Sequence, residues 1–344
     1  MANSSKKGQL VKKIFGTIAI PLIVLVILEV ICLVNGRQMI SNVTSFKNFV
    51  IYTAIVMITT VALSINLNSG RFDFSLGSMA LLSSVFSAKI TYAILGGGAG
   101  SAIMMLALNI VIGALLGLFS GAIYVLTKLP PIIVSLGVTL IFEGVLYTVT
   151  AGKYVMTEVQ NASMAKFSGS WVYPLIIIAV VLLFVIVVFD HTKFGYDYNA
   201  LKNGQKVAVN TGIKEVPNAL LCYAICGGLM GIVGFLNTLR SSNINGGQLN
   251  FASIGIMFTV FLPMFIGGYI SKYSNEKIGF LLAALCMSML NSTFAAFSNE
   301  ISASMQSIIN AVLLVLFLIY LNNQGLLKKI FKPAKRLENA PARG

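Results

Sequence analysis

A chain of 344 residues with 57% hydrophobic and 10% charged residues and a mean hydropathy of +0.89 is too apolar to fold as a water-soluble globule, in which about a quarter of residues are charged. It has room for about ten spans of about 20 residues with short connections, and none for a soluble catalytic domain. A net charge of +14 would suggest nucleic acid in a soluble protein; here it reads as the Lys and Arg excess of cytoplasmic loops, and no nucleic-acid partner is expected.

Lys6, Lys7, Lys12 and Lys13 precede the first apolar run, 14–35, which lacks a small-residue cleavage site after a short core and reads as an uncleaved first span. Further runs fall at 48–67, 76–95, 102–126, 132–150, 171–189, 219–239, 253–270, 278–297 and 305–321. The chain therefore reads as an all-α integral membrane protein, a single transmembrane domain over 1–344, in contact with lipid. Alternating these runs from a cytoplasmic start leaves 18 basic residues inside, among them Arg71, Lys128, Lys193, Lys202, Lys206, Lys214, Lys272 and Lys277, and only five outside: Arg37, Lys47, Lys153, Lys166 and Arg240. Both ends, an N-terminal tail 1–13 and a C-terminal tail 323–344, are expected in the cytoplasm. Lys89 lies within a span, near enough to its outer end to snorkel.

The stretch 68–77, Asn-Ser-Gly-Arg-Phe-Asp-Phe-Ser-Leu-Gly, breaks two long apolar runs, and 245–252, Asn-Gly-Gly-Gln-Leu-Asn-Phe-Ala, repeats its Asn-x-Gly-x-[Phe/Leu]-[Asp/Asn]-Phe pattern. On the alternating count the first copy opens inside and the second outside. Spans two to five and seven to ten then form an inverted repeat, an arrangement that places a substrate path at the repeat interface beside interrupted helices. Asn66, Asn68, Phe72, Asp73, Phe74, Asn250 and Phe251 are the candidate path residues. Asp73 reads more readily as an N-cap of span three than as a ligand. Pro130 and Pro131 break the chain before span five, Pro263 interrupts span eight, and Gly96, Gly97, Gly98 and Gly100 form a tight external turn. The external loop 153–170 is a docking surface or a connector.

Glu29 and Glu143 are carboxylates within spans, candidates for transport or for internal pairing. The four cysteines lie in or beside apolar runs, and Cys222 and Cys226, one turn apart, read as packing residues. With one histidine, His191, at a span end, there is no catalytic set, no metal site and no Gly-x-x-x-x-Gly-Lys-[Ser/Thr] phosphate loop. No cofactor is expected on this chain, and any ATP is used by another subunit. The longest cytoplasmic loop, 191–217, carries a short helical pattern bounded by glycines, which suits either a groove on a partner or packing on its own spans.

Leu129-Pro130-Pro131-Ile132-Ile133-Val134-Ser135-Leu136-Gly137 resembles the Leu-Pro-x-Phe-Ile-Val-Thr-Leu-Gly signature of ribose-type ABC transporter permeases. The run 69–78 resembles that family's Ser-Gly-Gly-Ile-Asp-Leu-Ser-Val-Gly-Ser, and Gly267-Gly268 fits its first glycine pair. Phe194, Gly195, Ala200, Leu201, Ala208, Gly212 and Ile213 match its cytoplasmic coupling segment. The chain departs from the pattern at Gly204-Gln205-Lys206, where the family has an acidic stretch, at 273–277, where a second glycine pair is replaced, and at Glu143, where the family usually has arginine. The resemblance implies the membrane-spanning subunit of an importer in a prokaryotic plasma (inner) membrane, moving a sugar, nucleoside or related small solute by alternating access. Its partners would be an ABC ATPase, a second permease chain, identical or not, and an extracytoplasmic solute-binding protein. The alternative is an ion-coupled secondary transporter on the same inverted repeat, with Glu29 or Glu143 as the coupling carboxylate.

Overall fold

The computed structural model describes residues 2–323, with side chains from Lys13 onward; the basic residues expected in the tail beyond 323 lie outside the described residues. Among the described residues, ten helical stretches are long and apolar enough to cross a membrane. They include α1 (Ala2–Val34), α2 (Val43–Asn68), α3 (Leu76–Leu95), α4 (Ser101–Thr127), α5 (Pro131–Thr150), α7 (Val172–His191), α9 (Glu215–Ser241), α12 (Glu276–Ala296) and α13 (Ala303–Asn322). The eighth stretch is assembled from a 3-10 turn, Ala252–Ile254, and two helices, α10 (Gly255–Phe258) and α11 (Phe261–Ile270). Outside the spans lie α6 (Ala162–Gly169) and α8 (Lys193–Asn210). Among the described residues the fold is all-α apart from one two-residue ladder, β1 (Tyr154–Val155) antiparallel to β2 (Ile244–Asn245).

Local chemistry sets the helix ends. Asn42 caps α2 by accepting the Ser45 N–H at 2.8 Å, and Asn161, Thr192, Asn275 and Ser302 cap α6, α8, α12 and α13 in the same way. Pro131 opens α5 at its first helical position, where the missing N–H has no intrahelical partner to lose. The 96–100 turn forms as expected, with Gly96, Gly97 and Gly100 at positive φ.

The interruption of span eight lies at Thr259–Val260, one turn before Pro263, which sits in the first turn of α11. The position is physical: Pro263 has no N–H to give the Thr259 carbonyl, so the ladder fails there and restarts beyond it.

Helices α2 and α9 are the most buried spans and form the centre of the packed body, which runs to Ser298. Helix α4 lies along α9 on glycines: a Cβ at Gly113 would fall 2.3 Å from the Gly227 carbonyl oxygen, and one at Gly231 would fall 2.0 Å from that of Asn109. Without water to drive apolar surfaces together inside lipid, such close backbone approach carries helix association. From Asn299 the chain forms a second compact unit containing α13, whose described side chains are all at least partly exposed.

Candidate functional site

Both repeated stretches leave helical geometry. In the first, α2 ends at Asn68 and the chain runs extended or turned to Ser75 before α3 begins. Asp73 is fully buried, and its Oδ1 accepts both the N–H (2.8 Å) and the hydroxyl (2.6 Å) of Ser75. It therefore closes a turn just ahead of the helix, two residues before the formal cap position, which Ser75 occupies. Asn66 is also fully buried, while Phe72 and Phe74 are half-buried.

In the second copy, Asn250 and Phe251 both adopt left-handed backbone, φ 57° and 66°. Asparagine tolerates that region and phenylalanine does not, so Phe251 needs an external hold. Glu143 on α5, itself fully buried, supplies it: one carboxylate oxygen accepts the Phe251 N–H at 2.9 Å and the other accepts the Ser253 N–H at 2.8 Å together with the Ser253 hydroxyl. Of the two span carboxylates singled out in the sequence, Glu143 is thus bound into this break; Glu29 sits half-buried on α1.

The two breaks meet. A Cβ on Gly77, in the first turn of α3, would lie 2.1 Å from the Ser253 carbonyl oxygen. Alongside, Phe72 packs edge-on to Phe74 at 4.6 Å between ring centroids and stacks on Phe261 at 5.9 Å, and Phe74 lies 6.3 Å from Phe258. Phe258 and Phe261 carried no sequence signal beyond their place in an apolar run. Asn68 stands apart from this junction; its amide donates to Glu276 Oε1 at 3.1 Å, at the first residue of α12.

The ends of α9 separate the two surroundings. Near Glu215, the first break approaches α8: Arg71, almost fully buried, lies 3.7 Å from Glu215 Oε1, which also accepts the Gln205 amide at 2.6 Å. Near Ser241, the second break follows β2, which pairs with the loop after α5, and Gln160 of that loop donates to the Ser242 carbonyl at 3.2 Å. Lys89 pairs with Glu158 of the same loop at 3.5 Å, in keeping with a snorkelling position.

The expected helix within 191–217 forms as α8, which is two helical pieces joined at Gly204, where the backbone turns extended (φ 176°, ψ 81°) and kinks the segment. Gly195 is required by contact, since a Cβ there would fall 2.3 Å from the Phe189 carbonyl oxygen, and Gly212 by conformation, with φ 93°. Leu201 and Ala208 turn inward, Ala200 is half-buried, and the Tyr198 hydroxyl donates to the Ile65 carbonyl at 3.0 Å; burial pushes that phenol well above its usual range. Phe194, Gly212 and Ile213 line one cavity of about 470 Å³ with Lys193, Lys214 and Leu221. The sequence had singled out both ends of this loop, and the fold brings them together.

Residues 45–318 match the family described as branched-chain amino acid transport system, permease component. The chain belongs to that permease family. The permease is 23% identical over 282 residues to the ribose import permease protein of Escherichia coli K12, covering 80% of this chain and 84% of that one. It is 25% identical over 286 residues to the fructose import permease protein of Rhizobium meliloti, covering 79% and 77%, and 24% identical over 218 residues to the galactofuranose transporter permease protein of Escherichia coli K12, covering 62% and 61%. No solved structure matches the chain significantly.

Proposed function

We propose that this permease is the translocation subunit of an ATP-binding cassette importer for a sugar or a related small solute, working by alternating access. The observation that carries the reading is the meeting of the two breaks at Gly77 and Ser253. Under the inverted repeat Gly77 corresponds to Ile254, so corresponding positions adjoin, as they must beside a two-fold axis in the membrane plane. Non-helical backbone at such depth is tolerated where protein groups satisfy it, and Asp73 and Glu143 do that for the two copies. The relatives' names supply the solute class and the direction of transport.

ATP hydrolysis belongs to a separate ATPase, which meets the permease at α8; a second permease chain and an extracytoplasmic solute-binding protein complete the assembly, in the prokaryotic inner membrane. Phe72, Phe74, Asn250 and Phe251 flank the solute path. Rings suit a sugar, whose C–H faces stack on aromatics while its hydroxyls seek amides. The ion-coupled alternative has Glu29 or Glu143 as its coupling carboxylate; Glu143 would have to exchange its partners during transport, whereas both its oxygens are engaged by backbone N–H groups, which leaves that reading to the half-buried Glu29.

The deciding experiment is copurification followed by uptake of radiolabelled ribose, fructose and galactose into proteoliposomes containing the tagged permease, its copurified ATPase and the neighbouring binding protein. A stoichiometric ATPase and uptake that stops without ATP support the importer. Uptake by the permease alone, driven by an ion gradient, refutes it.

A further inference from the structure

We infer that Glu215 and Glu276 are positioning residues that join the cytoplasmic helix α8 to the first break, so that a displacement of α8 is delivered to Asn68 and Arg71. This rests on the ATP-driven reading above. Each carboxylate holds one group from each side, and the two α8 groups, Lys202 and Gln205, flank the kink at Gly204, so each helical piece of α8 has its own link. Glu276 accepts from Lys202 of α8, at 3.1 Å to Oε2, and from Asn68 at the end of α2, at 3.1 Å to Oε1. Glu215 Oε1 accepts the Gln205 amide of α8 at 2.6 Å and faces the Arg71 guanidinium at 3.7 Å.

An exposed ion pair on its own contributes little to stability. The Arg71–Glu215 pair differs in having a buried end: the Arg71 side chain is 3% exposed, and its charge within the protein leaves Glu215 poorly free to drift away, whereas Lys202 and Glu276 are both part-exposed and are held by the added Asn68 contact. One link ends at Asn68, just before the non-helical stretch 69–75, and the other at Arg71 within it, and that stretch has no helical ladder to resist movement. The start of α12, which carries Glu276, is held from behind, where Lys277 pairs with Asp190 and the N-cap Asn275 donates to the same carboxylate, so Glu276 is anchored to the end of α7. A chain of polar contacts that runs from α8 to a stretch without a helical ladder is a physical route by which motion can be passed on.

The test uses the full permease–ATPase complex in lipid nanodiscs, on a background without native cysteines, with spin labels at Ser69 and Gln160 and pulsed distance measurements with and without ATP–Mg. The unsubstituted complex should shift its distance distribution on adding nucleotide. Glu215→Gln and Glu276→Gln should assemble and hydrolyse ATP but lose that shift. The exchange Lys202→Glu with Glu276→Lys should restore it, because the Asn68 amide can serve a lysine through its oxygen as well as a carboxylate through its nitrogen. A shift of unsubstituted size in both single variants, or an assembled exchange variant that stays locked, overturns the linkage. So does an unsubstituted complex that hydrolyses ATP without moving Ser69. If no ATPase assembles at all, the importer reading itself falls.

Discussion

Glu143 on α5 accepts the Ser253 backbone N–H at 2.8 Å across 110 positions of sequence, and through its other oxygen it holds Phe251 in left-handed backbone. The first break closes its own turn with Asp73; the second carries Asn250 at the matching position and borrows its carboxylate from a neighbouring span. A carboxyl group within a span is explained here by the N–H donors it serves, of which the buried Ser253 N–H would otherwise have no acceptor.

Glu143→Ala should therefore destabilise the permease, since the orphaned buried Ser253 N–H costs about 1–3 kcal/mol. Glu143→Gln keeps one carbonyl acceptor and should lie between the two. Melting of the purified protein in detergent, followed by tryptophan fluorescence of Trp171, measures the order. Equal melting of Glu143→Ala and the unsubstituted protein would show that the bond is not maintained.

Gly77→Ala should abolish transport or folding, because its methyl would fall 2.1 Å from a backbone oxygen that cannot rotate away, and overpacking of this kind costs about 1–3 kcal/mol. Gly137→Ala on α5 meets nothing within 4 Å and should be tolerated. Uptake normalised to protein in the membrane separates the pair. Normal uptake by Gly77→Ala would mean that the breaks do not meet as described.

The spans were legible because each apolar run is long and bounded by glycine, proline or charge, and Gly212 was legible because only a few residues accept positive φ. What the sequence hid was pairing at a distance. Ser253 looks like any small residue in an apolar run, and nothing local in Glu276, standing in a stretch that departs from the family pattern, points to Asn68 some 200 positions away. Arg71 counted as a cytoplasmic charge, yet the turn after α2 folds it inward against Glu215. The Pro263 kink was placed at the proline itself; the lost bond lies at the carbonyl four residues earlier, and the break follows the carbonyl.

Orientation can be tested by labelling. With the native cysteines removed, an impermeant thiol reagent on intact cells should modify Cys placed at Gln160, beside α6, and spare Cys placed at Lys206 on α8; both positions are exposed. The reverse pattern would invert the whole arrangement, and with it the assignment of α8 to the ATPase side.

If α8 meets the ATPase, as the importer reading has it, its exposed side chains set what that partner must offer. Lys193, Lys206 and Lys214 are exposed around it, as are Tyr196 and Val207, at 62% and 70%. A partner groove that buries such a surface has to offer acidic groups around an apolar floor, because charges of one sign are screened only over about 8 Å at physiological salt. Lys206→Glu should slow assembly with the ATPase, most clearly at low ionic strength, while leaving α8 itself intact. Gly212→Val should act differently: at φ 93° a β-branched residue costs about 1–3 kcal/mol, so the turn re-aims and the Phe194 and Ile213 sides of the cavity separate. Assembly measured by copurification and ATP hydrolysis measured in the same nanodiscs distinguish the two, with Lys206→Glu losing assembly in a salt-dependent way and Gly212→Val losing stimulation at every salt concentration. If both variants assemble and respond normally, the ATPase meets the permease at another cytoplasmic loop, and the turn at 271–277 is the next to test.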